Sequence, residues 1–223
     1  PAAGNPGPPP SLTGHEIPSV TGIPVKIVVA TKNQGKLREL RALLEGTGLE
    51  VSSLADYPAM AEVVEDGTTF LENALKKAKA VAAFTGETAV ADDSGLEVAA
   101  LGGRPGIHSA RYAGEKAGDR ENVAKLLNEL EEVPPARRDA AFRCVLVLCR
   151  PDGAFEAFEG SWEGKITMIP RGENGFGYDP VFLVPEYGKT AAEIPPELKN
   201  RLSHRAKALQ KLKKKLAGDR EIG

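Results

Sequence analysis

The sequence predicts an α/β fold, on three observations. A β-branched run at residues 25–30 leads through a polar turn at 31–36 into leucines at helical spacing, Leu37, Leu40, Leu43 and Leu44. An amphipathic helix at 69–84 precedes a small apolar strand, Ala89-Val90-Ala91, that ends in Asp92-Asp93-Ser94-Gly95. A third segment, 141–149, is strongly strand-like and turns through Pro151-Asp152-Gly153 into 154–160, an antiparallel hairpin.

Composition bounds the rest. The 223 residues are ample for a buried core, and 41% hydrophobic with 27% charged residues is ordinary for a soluble globular chain. A net charge of -2 gives no general attraction to nucleic acid or anionic membrane, so any phosphate binding has to be local. Neither a membrane span nor a signal peptide is legible, and the chain is expected to be cytoplasmic. Cys144 and Cys149, five apart on one strand, should point to opposite faces, which disfavours a disulfide or a shared metal. Residues 1–24, rich in Pro, Gly and Ser, are expected to be a flexible extension or a cloning remnant; 25–217 form one domain and 218–223 a tail.

Taken in order, the turn at 31–36 aims backbone N–H groups and a helix N-terminus at one spot, with Lys32 and Lys36 adding charge; it suits an anion or is an ordinary strand-to-helix turn. The P-loop spacing is missing. Residues 49–54 form a second strand, and 55–67 a loop carrying Glu62, Glu65 and Asp66. Thr69 and Glu72 fit a capping box for the helix whose apolar stripe is Phe70, Ala74, Leu75, Ala78 and Val81. Its Lys76, Lys77 and Lys79 point at different angles, so at most one or two can face a common site.

Adjacent residues on a strand face opposite ways, so one of Asp92 and Asp93 faces a site and the other the structure, unless the chain turns there. The pair either holds a divalent metal or caps a turn formed with Ser94-Gly95. Residues 102–112 read as a shaped loop, 119–130 as a helix, and 162–169 as a continuation of the sheet. Phe176, between Gly175 and Gly177, either offers its ring to a flat ligand or tucks inward before a strand at 181–184. Ser203-His204-Arg205 opens a basic helix through Leu216, whose lysines read as a solvated face ahead of a nucleic-acid patch.

These segments stand in a known order. Ala30–Lys36, Thr69–Ala74, Ala91–Leu96, Gly175–Pro180 and Ser203-His204-Arg205, with Pro105-Gly106-Ile107, Ser109–Tyr112, Gly188-Lys189-Thr190 and Ala192-Glu193, closely resemble the inosine triphosphate pyrophosphatase family, the dITP/XTP pyrophosphatases. The resemblance covers about residues 26–216. It implies an elongated, two-lobed α/β fold around a long mixed sheet, a nucleotide cleft between the lobes, and a homodimer. It also implies Mg²⁺-dependent conversion of a purine nucleoside triphosphate to monophosphate and pyrophosphate, without nucleic-acid or membrane partners. By motif position it assigns Glu65 and Asp93 to metal, Asp93 with Asp92 and Lys77 to catalysis, and Thr31, Asn33, Lys36 and Lys77 to the triphosphate. Ser94 and Gly95 become the turn that brings phosphate close, and Phe176, Gly177, Tyr178, Asp179, Lys199, His204 and Arg205 the base side. Which aspartate handles the proton stays open. A phosphohydrolase releasing orthophosphate, or a nucleic-acid module on the basic helix, are the rival readings.

Overall fold

The computed structural model describes residues 26–221, with side chains described to residue 216; the expected extension at 1–24 and residues 222–223 of the tail lie outside the described residues. Strand β1 (Lys26–Val29) is followed by helix α1 (Gln34–Leu44) and strand β2 (Glu50–Ser53). Helix α2 (Phe70–Thr85) leads into β3 (Thr88–Val98), and α3 (Asp119–Glu129) precedes the long strands β4 (Asp139–Cys149) and β5 (Phe155–Ile166). Two short strands, β6 (Phe182–Val184) and β7 (Lys189–Thr190), then give way to helices α4 (Pro196–Leu202) and α5 (His204–Glu221).

One mixed sheet runs β2-β1-β3-β4-β5-β6-β7. β1 is parallel to both β2 and β3, and the remaining pairs are antiparallel. With 11, 11 and 12 residues, β3, β4 and β5 are each roughly 35–40 Å long at about 3.3 Å per residue. They pass through two core zones, which is what makes the fold elongated. In one zone α1 and α5 cover one face (Leu37, Leu40, Val90, Leu146, Leu209, Leu212) and α2 the other (Ala74, Ala78, Ala89, Ala91, Val147). In the second, α3 and β6 pack on the far ends of the strands around Leu96, Phe142, Trp162, Leu126 and Phe182.

Three expectations change. The strand at 89–91 does not end at the acid pair: β3 continues through Ser94-Gly95 to Val98, because ten consecutive residues from Ala89 are paired with β4. The expected turn at Ser94-Gly95 is therefore absent, and Gly95 serves the close approach of the 106–109 segment, where an added Cβ would lie 2.6 Å from Ser109 Oγ. Residues 154–160 and 162–169 are not separate: β5 is continuous to Ile166, after which Met168 and Ile169 are exposed. The capping box is half formed, since Thr69 Oγ1 accepts from Glu72 N–H while the Glu72 carboxylate accepts from Thr68 N–H and its hydroxyl. Cys144 and Cys149 are free, buried and packed in the cores of opposite faces, as their spacing predicts. No helix among the described residues is long and apolar enough to cross a membrane.

Candidate functional site

The two core zones meet at the middle of β3, and a cleft of about 650 Å³ opens there. Side-chain alternation decides what β3 contributes. Val90 belongs to the α1/α5 face and Ala89 and Ala91 to the α2 face, so Asp92 follows Val90 and Asp93 follows Ala91.

Asp93 lines the cleft. Its Oδ1 lies 3.5 Å from Lys77 Nζ, and its buried Oδ2 has no hydrogen-bond partner. Lys77, reaching across from α2, also donates to Glu65 Oε2 at 3.0 Å and to the Asp92 carbonyl at 2.8 Å. Burial pushes the Asp93 carboxyl up, and Lys77 and Lys36 only partly oppose it. A carboxylate held toward its neutral form and short of a partner is primed to take a proton or bind a cation. Glu65 stands beside it on the 57–69 loop, which is fastened by Lys76–Asp66 (2.5 Å) and by Gly67 N–H donating to Asn73 Oδ1 (2.8 Å).

Asp92 is different and does not line the cleft. Its buried carboxylate receives Lys36 Nζ at 2.5 Å, Arg205 Nε at 3.1 Å and the Cys144 thiol at 3.1 Å. Burial would raise its pKa, but Arg205 and Lys36 outweigh that and hold it well below the usual carboxylate range. A saturated carboxylate facing away from the site has no lone pair to spare for catalysis. Asp92 thus sits behind the cleft, paired with Lys36 and Arg205, and Asp93 is the acid of the pair that faces the site. Ser94 likewise serves Arg205, whose Nη2 donates to its Oγ at 2.9 Å.

At the other end of the cleft floor, Asn33 caps α1 by accepting from Lys36 N–H at 3.0 Å, and Thr31 Oγ1 accepts from Asn33 N–H at 3.1 Å. Both side chains accept through oxygen, which leaves the Thr31 hydroxyl proton and the Asn33 amide protons for an anion. Of the three α2 lysines, only Lys77 enters the site: Lys76 pairs with Asp66 and Lys79 lies 5.4 Å from the Phe155 ring centroid.

The opposite wall gathers the remaining predicted residues. Phe176 is half-buried against Gly35, where an added Cβ would fall 2.6 Å from its ring, and Lys199 Nζ lies 5.0 Å from the ring centroid. The Phe176 N–H donates to Asp179 Oδ2 at 2.9 Å, and Lys199 Nζ pairs with the same oxygen at 2.5 Å. Tyr178 is buried with its hydroxyl donating to the Ser109 carbonyl at 2.9 Å, so it braces the wall from behind. His204 stacks on Phe142 (centroids 4.8 Å, 15° apart), and its buried Nδ1 has no partner. Burial, and then Arg205, hold this imidazole well below its ordinary value, so it is neutral at pH 7.

Sequence reasoning missed Glu39. From α1 it pairs with Lys199 at 2.7 Å and with Arg205 Nη1. Nothing local marks it, because an acid beside Arg38 and Arg41 reads as a solvated helix position. It also missed Asp119 and Asn122, in the first turn of α3.

Fold and cleft together define an α/β protein in which a carboxylate–lysine cluster suited to phosphate faces an aromatic wall with neutral polar groups suited to a flat ring. The chain belongs to the Ham1 family, whose profile matches residues 27–215. It is 56% identical over 188 residues to a dITP/XTP pyrophosphatase of Geobacter sulfurreducens, across 84% of this chain and 94% of the relative. It is 55% identical over 187 residues to a dITP/XTP pyrophosphatase of Geobacillus kaustophilus, across 84% and 92%. Among solved structures, a HAM1 protein from Coxiella burnetii matches with a TM-score of 0.80 at 43% identity, over 87% of this chain and 99% of that one. A nucleoside-triphosphatase, or dITP/XTP pyrophosphatase, from Mycobacterium abscessus matches with a TM-score of 0.69 at 47% identity, over 84% and 97%.

Proposed function

We propose that this chain hydrolyses triphosphates of non-standard purines, dITP/ITP and XTP/dXTP, to the monophosphate and pyrophosphate, and so clears them from the nucleotide pool. The observation that carries this reading is Asp93: a buried carboxylate with a raised pKa and a free oxygen, beside Lys77 and Glu65, opposite an aromatic wall. The relatives named for this activity, at 55–56% identity, support it.

The acids also fit Mg²⁺. Glu65 and Asp93 would hold it, since Asp93 Oδ2 is an orphaned acceptor and both carboxylates already share one cation, Lys77. Magnesium is commonly bound by one or two carboxylates together with substrate phosphates, so these two acids are enough to hold it. When bound, it supplies neutralisation of phosphate charge.

The remaining work falls to side chains. Asp93 takes a proton from the water that attacks the α-phosphorus, and the bond to the bridging oxygen breaks as pyrophosphate leaves. Lys77, with the donors of Thr31, Asn33 and Lys36, offsets the negative charge that would repel the water and that builds on the leaving group. On the base side, Lys199 and Arg205 spend most of their donors on Asp179, Glu39 and Asp92. Selection for a six-position oxygen therefore rests on the remaining Lys199 proton, on backbone N–H groups and on His204, whose imidazole can still donate or accept. Phe176 supplies affinity for any base by stacking. The working form is proposed to be a cytoplasmic homodimer without nucleic-acid or membrane partners.

The test is product identity with Mg²⁺ and dITP, XTP, dGTP or dATP. Monophosphate plus pyrophosphate, favouring dITP and XTP, is expected; orthophosphate release, or equal use of dATP, would overturn the reading.

A further inference from the structure

Phe176 sits on a glycine-flanked turn, and glycines alone do not hold a ring in place. The ring packs against Gly35 beside Lys199 and Arg205, and the turn that carries it is held by a carboxylate on each of two consecutive amides. The Phe176 N–H is taken by Asp179, and the Gly177 N–H is taken by Asp119 Oδ2 at 2.7 Å, from 58 residues away. Asp179 is buried and locked by Lys199, whereas Asp119 is exposed at the first position of α3.

Asp119 can act as a fixed point only if α3 is itself fixed, and it is. Asn122, one turn on and buried, accepts from Ala113 N–H at 2.8 Å and donates to the Ala110 carbonyl at 3.1 Å, so it grips the chain on both sides of Arg111. Glu121 satisfies the Gly118 N–H at 2.6 Å, which leaves the Asp119 carboxylate to Gly177. Gly177 adopts φ +61°, a conformation that glycine reaches freely and an L side chain disfavours, so the turn leaves its amide free to meet Asp119.

We propose that Asp119 is a positioning residue for base binding: by holding the Gly177 amide it sets the Phe176 ring at the stacking position, and it has no part in phosphate chemistry. This rests on the purine triphosphate reading above and deepens it, because it assigns recognition of the ring to α3 as well as to the Phe176 turn itself.

The experiment compares Asp119→Ala, Asp119→Asn and Phe176→Ala, alone and combined, with dITP as substrate and inorganic tripolyphosphate as a competitive inhibitor that carries no base. Asp119→Ala is expected to raise KM for dITP about 3- to 10-fold, the scale of one hydrogen bond, with kcat within about twofold. The tripolyphosphate Ki should stay unchanged. Asp119→Asn, which keeps an acceptor oxygen, should recover most of the loss. In the Phe176→Ala background, Asp119→Ala should add nothing. Amide hydrogen exchange at Gly177 should accelerate in Asp119→Ala, a readout independent of turnover. The proposal is overturned if the tripolyphosphate Ki rises along with KM, if the two substitutions add fully, or if Gly177 exchange does not change. Failure of the wider reading is seen separately, as wild-type protein that does not release pyrophosphate from dITP.

Discussion

Asp92 and Asp93 are neighbours in sequence with opposite physical lives, and substitutions at them should have opposite signs. Removing the Asp92 charge leaves Lys36 and Arg205 buried without their shared anion. Asp92→Asn is expected to cost about 3–5 kcal/mol of stability, measured by denaturant unfolding. The folded pKa of Asp92 is depressed, so its contribution is present above the unfolded value and is lost as pH falls through the folded one; Asp92→Asn should flatten the acid limb of the stability profile. The folded pKa of Asp93 is raised, so folding favours its protonated form and stability is lost as pH rises from 3.8 through the folded value. Asp93→Asn should therefore be more stable than wild type at pH 7 while losing about 10²- to 10⁴-fold in rate, the contribution of a general base.

Elements were legible where local pattern and tertiary demand agree. β1, α1, α2 and the β4–β5 hairpin follow from apolar spacing and turn residues, and Lys77 was picked out by motif position. β3 was legible only in part, because two adjacent acids read as an end, whereas its continuity comes from pairing with a strand some 50 residues away. Glu39 was illegible for the same reason, its partners lying 160 and 166 residues along the chain. The basic run on α5 reads in sequence as a solvated face, and the structure gives part of it a job. Lys207 and Lys211 donate to the Ser161 and Glu159 carbonyls of β5, each at 2.8 Å, covering the stretch before β6 joins the sheet at Lys165. Gly160 lies between those carbonyls, and a Cβ there would sit 2.7 Å from the Ala208 nitrogen, with no flexible side chain to give way. Gly160→Ala is expected to push α5 off the sheet, costing about 1–3 kcal/mol. Because α5 begins with His204 and Arg205, it should also raise KM for dITP, which paired thermal melts and kinetics would show.

Across the whole molecule, the two walls of the cleft are joined by one buried chain of alternating charge: Asp179, Lys199, Glu39, Arg205, Asp92 and Lys36. It starts beneath the aromatic turn and ends at the N-terminal turn of α1. Each cation answers two anions except Lys36 at the end, and each internal anion answers two cations, so no internal member can be removed without loosening its neighbours on both sides. Glu39 is the midpoint. Burial would raise its pKa, but Arg205 and Lys199 together hold it low, so it is ionised across the physiological range. Glu39→Gln keeps the shape and removes the charge. One arm of the chain leads to the base wall and the other to Lys36 on the phosphate side, so this substitution should weaken dITP and tripolyphosphate together, by roughly 10-fold each, the scale of one charge-assisted hydrogen bond. That outcome separates it from Asp119→Ala, which should weaken dITP alone. Equal retention of tripolyphosphate binding in both variants would show that the two walls are held independently, and that the chain of charges carries stability without coupling them.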